Sequence, residues 1–161
     1  MREMMVMRSS LGNIRLEAED EKLVSLNFTE ENFSLEISSV FLLEVRRQLK
    51  GYLDGDLRRF DFPIESKGTV FQKKVWQKVS EIPYGRTCSY ETIAHQLESK
   101  NGARAVGAAN GDNPLLIVVP CHRVISKSGA LTGYAGGLWR KVKLLQLEMR
   151  DLPGNQYCLG F

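Results

Sequence analysis

The chain is 161 residues long, enough for one ordinary domain or two small units that share a core. Its 43% hydrophobic and 25% charged residues exclude a disordered chain, and no apolar stretch is long enough for a membrane span. The net charge of +3 hides an asymmetry: residues 1–65 carry 9 Lys and Arg against 13 Asp and Glu, whereas residues 66–161 carry 13 against 6. An acidic first part (net −4) joined to a basic second part (net +7) aims the second part at a polyanion.

The opening apolar run, Met4 to Met7, is cut by Arg8 and falls short of a signal peptide's apolar region. An intracellular protein is expected, cytoplasmic (nuclear in a eukaryote) and without a membrane partner. Residues 4–8, 13–18 and 23–28 read as short strands, with Ser9-Ser10-Leu11-Gly12 as the first turn. Phe41, Val45 and Leu49 recur every four residues beside Leu42 and Tyr52, which predicts a helix ending at Gly51. Strands followed by a helix make a small α+β unit with no chemical signal, read as scaffold. Gly55, Pro63 and Gly68 mark a boundary, dividing the chain into 1–65 and 66–161.

Beyond it, Thr69-Val70-Phe71-Gln72 has the form of a capping box. Phe71, Val75, Val79 and Ile82 then mark a buried helical face that Pro83 ends; Trp76 lies beside that face and reads as core. Ser89 is the expected N-cap of a helix over 89–97, and a Gly-containing link leads to a second helix over 103–110. Two short helices joined by a tight turn have helix-turn-helix form. Ala103, Ala105, Gly107, Ala108 and Ala109 leave the second helix smooth, with Arg104 as its one long cation. Such a helix suits close approach, either to another element of the protein or to a ligand.

The cysteines number three, Cys88, Cys121 and Cys158, an odd and scattered set that argues against a disulfide framework. With no Cys-x-x-Cys pair and only His95 and His122 as histidines, no metal is expected. The apolar run over 115–119 reads as a buried strand, ending at Pro120-Cys121-His122-Arg123-Val124. A Cys there, beside a Pro that breaks the backbone ladder, stands at the rim of a pocket. The adjacent His122 and Arg123 are expected to lower its pKa and favour the reactive thiolate. Neighbours on an extended chain point to opposite sides, so His122 can serve Cys121 only if the backbone turns or a water intervenes. Glu148, on a helix predicted over 138–149 and flanked by Leu144, Leu145 and Leu147, is the expected third group orienting His122.

Residues 66–150 resemble the O6-alkylguanine-DNA alkyltransferases, also called methylated-DNA–protein-cysteine methyltransferases. The resemblance rests on Gly68-Thr69-Val70-Phe71-Gln72, Ile82-Pro83-Tyr84-Gly85, Ser89-Tyr90, Ala103-Arg104-Ala105-Val106-Gly107 and Asn113-Pro114. It continues through Pro120-Cys121-His122-Arg123-Val124, Gly133-Tyr134 with Gly136-Gly137, and Leu144-Leu145 with Glu148. The order of so many short motifs makes it specific; residues 1–65 match loosely. It implies an α+β protein: a small RNase H-like α/β N-terminal domain, then a mainly helical, winged-helix-like domain with a helix-turn-helix.

The implied reaction is stoichiometric, irreversible transfer of the alkyl group of O6-alkylguanine, and of O4-alkylthymine, from double-stranded DNA to Cys121. The damaged nucleotide would be flipped out, and a monomer would act without a cofactor. By the same resemblance His122 would be the base acting through a water, Glu148 its orienting partner, and Tyr90 a proton or hydrogen-bond donor to guanine N3. Asn113 would hold the turn before the active-site segment, and Lys141 would support the Glu148 helix. The carbonyls of Cys121 and Val124 would accept from the guanine amino group. Tyr134 and backbone N–H groups near Ala135 would face O6, since Ala135 stands where some relatives carry Ser. Arg104 would fill the gap left by the base, with Ala103, Ala105, Gly107, Tyr90 and Arg123 also at the DNA in its minor groove.

Two other classes fit the sequence less well. A Cys-His hydrolase would need its His from elsewhere in the fold, and His95 is the only other one. A non-catalytic binder of alkylated DNA, like the alkyltransferase-like proteins, would lack the acceptor cysteine that is present here as Cys121.

Overall fold

A computed structural model describes residues 1–34 and 39–150, and shows a mixed α/β chain in two compact units, Met1–Lys67 and Gly68–Phe161. The expectation for Cys158 lies outside the described residues. In the first unit, β1 (Arg2–Met7), β2 (Asn13–Glu19) and β3 (Lys22–Thr29) form an antiparallel sheet in that order. Alternation along β2 sends Ile14, Leu16 and Ala18 inward, and all three are buried. The two-residue link Asp20-Glu21 has both residues at positive φ (49° and 59°), the backbone form that matches the strands' twist.

Helix α1 (Val40–Leu53) starts at Ser39, whose hydroxyl accepts from the Leu42 N–H, and buries Leu42, Val45, Leu49 and Tyr52. It runs past Gly51, where the sequence predicted its end. Tyr52 continues the apolar face and is buried, and that packing outweighs the roughly 1 kcal/mol that Gly costs within a helix.

The second unit opens with α2 (Val70–Ser80), and the capping box is present in both directions: Thr69 Oγ1 accepts from Gln72 N–H and Gln72 Oε1 from Thr69 N–H. Trp76 is buried, and its Nε1 donates to the Ala109 carbonyl at 2.8 Å. Its ring packs so closely on Gly68 that a Cβ there would stand 2.5 Å away. Strand β4 (Cys88–Ser89) pairs in parallel with β5 (Val124–Ile125). Helix α3 (Tyr90–Gln96), capped by Ser89, is followed by α4 (Gly102–Gly111), and α5 (Leu138–Met149) closes the unit. Its core contains Val106, Ala109, Leu115, Leu116, Leu144 and Leu145. Among the described residues no helix is long and apolar enough to cross a membrane.

The buried run over 115–119 is not the strand the sequence predicted. Leu115, Leu116, Ile117 and Val119 are buried as expected, but the backbone coils on itself: Val119 N–H donates to Leu115 O (2.9 Å) and Val118 N–H to Leu116 O (2.8 Å). Ile117 sits at φ 72°, a conformation that costs a β-branched residue about 1–3 kcal/mol. Burial without a neighbouring strand requires local satisfaction of the backbone, and that need outweighs the β propensity of Ile and Val.

Candidate active site

The coil is held from inside by Asn113. Its Oδ1 accepts from Leu115 N–H (2.9 Å), while Nδ2 donates to the carbonyls of Leu115 (3.3 Å) and Val119 (2.9 Å). Three bonds from one buried amide over-determine the turn and sustain the Ile117 conformation. Pro120 then leads into one turn of 3-10 helix, Cys121–Arg123. The backbone therefore turns at Cys121, which is the condition under which a neighbouring His can serve it.

Cys121 is 2% exposed. Burial pushes its thiol up to about 11, although the Asn113 side chain and the charge of Lys141 pull the other way. This corrects the expectation that His122 and Arg123 lower it: the resting group is a thiol. Both neighbours face Glu148 instead. His122 Nε2 lies 2.7 Å from Glu148 Oε2; Arg123 Nε donates to Oε1 at 2.7 Å and Nη2 to Oε2 at 3.0 Å. Gly85 N–H adds a bond to Oε1 at 3.2 Å, and Arg123 Nη1 donates to the Ile82 carbonyl at 2.7 Å.

Burial alone would raise the Glu148 pKa, but His122 and Arg123 outweigh it and hold the carboxyl well below the usual range. Burial lowers the His122 pKa in spite of Glu148. The resting pair is therefore a carboxylate and a neutral imidazole. Because a carboxylate only accepts, the shared proton belongs to Nε2, which leaves Nδ1 as the acceptor nitrogen.

Lys141 is buried, and its Nζ donates to the carbonyls of Val124 (2.7 Å), Thr132 (3.1 Å) and Gly133 (3.3 Å). Burial brings its pKa down to about 8, against the effect of Cys121. It thus ties β5 to the loop over 132–137, which Gly137 ends at φ 93°.

A cavity of about 120 Å³ opens above the thiol. Tyr90 of α3 and Gly107, Asn110 and Gly111 of α4 line one part of it, the loop residues Gly133, Tyr134 and Ala135 another, and Cys121 also borders it. The Tyr90 hydroxyl donates to the Thr132 carbonyl at 3.3 Å, and the Tyr134 hydroxyl is buried with no hydrogen-bond partner among the described residues.

The family model described as "6-O-methylguanine DNA methyltransferase, DNA binding domain" matches residues 70–150. A methylated-DNA–protein-cysteine methyltransferase of Mycolicibacterium paratuberculosis is 44% identical over 91% of this chain and 92% of its own length. The chain belongs to the methylated-DNA–protein-cysteine methyltransferases. A relative of that name from Methanosarcina acetivorans is 43% identical over 89% of this chain and 96% of its own. Among solved structures, the O6-methylguanine methyltransferase of Mycobacterium tuberculosis superposes with a TM-score of 0.84 at 40% identity, covering 96% of both chains. The structure of Mycobacterium tuberculosis OGT in complex with DNA gives 0.82 at 41% identity, over 93% of this chain and 94% of that one.

In this methyltransferase the residues singled out from sequence fall into two groups. Cys121, Tyr90, Gly107, Tyr134 and Ala135 meet at the cavity, while Asn113, His122, Glu148 and Lys141 lie buried behind it. Val124 is buried, with its carbonyl already accepting from Lys141. Arg104 is exposed on α4, and Ala103 and Ala105 are half-buried beside it. Arg123 departs from expectation: placed at the DNA from sequence, it is 8% exposed and its guanidinium is spent on Glu148 and Ile82. Sequence reasoning passed over Asn110, which is buried and faces the cavity. Its signal was helical spacing, since it follows Val106 by four residues and continues that buried stripe.

Proposed function

We propose that this chain repairs alkylated double-stranded DNA by taking the alkyl group of O6-alkylguanine, and of O4-alkylthymine, onto Cys121 in a single irreversible turn. The observation that carries this reading is the placement of the Cys121 thiol at a small cavity, with His122 next to it in sequence and hydrogen-bonded to the buried Glu148 carboxylate. A damaged base stacked in a duplex cannot reach such a thiol, so the nucleotide must be flipped out, at a few kcal/mol. The small-residue helix α4 suits the minor groove, and its exposed Arg104 fills the space the base leaves. The net of +7 over residues 66–161 favours the duplex electrostatically. One monomer acts on one lesion, in the compartment that holds DNA, cytoplasmic in a cell without a nucleus.

At rest the thiol keeps its proton. His122 takes it through a water as the alkyl carbon approaches, and Glu148 stabilises the imidazolium so formed. The sulfur lone pair forms the S–C bond, the C–O6 bond breaks, and its electrons leave with the base, where Tyr90 supplies a hydrogen bond or proton at N3. The product thioether offers water no leaving group, so the thiol is not regenerated. Intact mass after incubation with an O6-methylguanine duplex tests this. One added methyl on Cys121 and none for Cys121→Ala is expected; unmodified protein beside an unrepaired lesion refutes it.

A further inference from the structure

We propose that Arg140 is a positioning residue that sets which alkyl groups the cavity admits, by clamping the turn that carries Tyr134 and Ala135 into its wall. The turn runs from Tyr134 to Gly137 and is closed by the Gly137 N–H, which donates to the Tyr134 carbonyl at 2.9 Å. Tyr134 and Ala135 line the cavity that Cys121 borders. The Tyr134 hydroxyl is buried with no hydrogen-bond partner among the described residues, so no such bond from its own side chain fixes it there. Helix α5 holds the turn instead. Lys141 Nζ donates to the carbonyls of Thr132 and Gly133 just before it, and Arg140 Nη1 donates to the Gly136 carbonyl within it at 2.8 Å. Gly136 is buried, where a backbone carbonyl needs such a donor.

Trp139 keeps the clamp in place. Although 52% exposed, its indole lies against the Arg140 guanidinium, with Cζ 4.5 Å from the ring centroid. The same ring stands 3.5 Å from the point where a side chain on Gly137 would begin. It therefore covers both the turn and the cation that holds it, and a planar guanidinium stacked in this way is already oriented for its hydrogen bond. The consequence is chemical. Attack by sulfur needs the alkyl carbon held in line with it, and small errors in that geometry are costly. A fixed wall keeps a methyl group in line, whereas the extra ring of a benzyl group has to push the wall outward. Arg140 thus favours small alkyl groups over bulky ones. This inference rests on the reading of Cys121 as the alkyl acceptor.

The test compares single-turnover transfer from saturating duplexes that carry O6-methylguanine or O6-benzylguanine. Arg140→Met keeps the stem and removes the donors. It should slow methyl transfer roughly 10-fold, less than the roughly 10²-fold that a misplacement of about 1 Å can cost, and slow benzyl transfer by less than about 2-fold. The benzyl-to-methyl rate ratio should then rise by about 5-fold or more. Where the parent transfers methyl alone, Arg140→Met should begin to transfer benzyl. Arg140→Lys, which retains an N–H donor on a long stem, should bring the ratio back toward the parent's. Lys143→Met removes an exposed cation from the same helix and should leave the ratio within about 2-fold of the parent's. Trp139→Leu, which takes away the platform, should raise the ratio in the same direction and serves if Arg140→Met folds poorly. Equal slowing on both substrates, or an unchanged ratio, overturns the proposal, because a residue that only stabilises the fold acts on both alike. A parent protein that gains neither alkyl group at Cys121 would overturn the functional reading and this inference with it.

Discussion

Glu148→Gln separates the catalytic and structural sides of the buried network. The carboxylate receives His122 Nε2, two nitrogens of Arg123 and the Gly85 N–H. Gln keeps the size but offers one oxygen, and its NH2 must confront a donor from His122 or Arg123. It also removes the charge that compensates a guanidinium only 8% exposed. Breaking a buried pair in this way costs about 3–5 kcal/mol. At about 2–4 °C per kcal/mol for a chain of this size, thermal unfolding should fall by roughly 6–20 °C. Methyl transfer below that temperature should slow by about 10²-fold to 10⁴-fold, since the imidazolium loses its partner. The same pair sets an acid limit. Glu148 has a folded pKa below its unfolded value, so its stabilisation is full above the unfolded pKa and is lost as pH falls through the folded one. The parent should therefore lose stability with falling pH more steeply than the Gln variant. A variant with the parent's melting temperature and transfer rate would refute this account.

Two further outcomes follow from the geometry. With a thiol 2% exposed and a pKa of about 11, Cys121 should react with iodoacetamide at pH 7.5 far more slowly than half-buried Cys88, and its rate should climb with pH toward 11. Peptide mapping by mass spectrometry reads this, and Cys121 labelled first would contradict it. Arg104→Ala should weaken repair of duplex by about 10-fold or more while sparing reaction with free O6-benzylguanine, because Arg104 lies outside the cavity. Equal losses on both substrates would remove its role in the duplex.

Much of this protein is legible in its sequence because the deciding interactions are local. Thr69 and Gln72 cap α2 over three residues, Ser89 caps α3, and alternation in β2 sorts its faces without help from the rest of the chain. Motif order across residues 66–150 identified the family, and the apolar neighbours of Glu148 announced a buried carboxylate. The coil over 115–119 was not legible, since five apolar residues say only that the segment is buried. Its shape comes from an Asn113 amide that satisfies three backbone groups.

Charge behaviour escaped the sequence for a related reason. Adjacency suggested that His122 and Arg123 activate the thiol, and the family resemblance placed Arg123 at the DNA, but direction is set in three dimensions. The 3-10 turn sends both side chains to Glu148, 26 and 25 positions away, and the low dielectric around Cys121 outweighs every nearby positive charge. Sequence alone singled out Cys121, its neighbours and the small-residue helix α4. Tertiary structure decided the protonation state in which that thiol rests, because desolvation depends on everything packed around an atom and not on the residues bonded beside it.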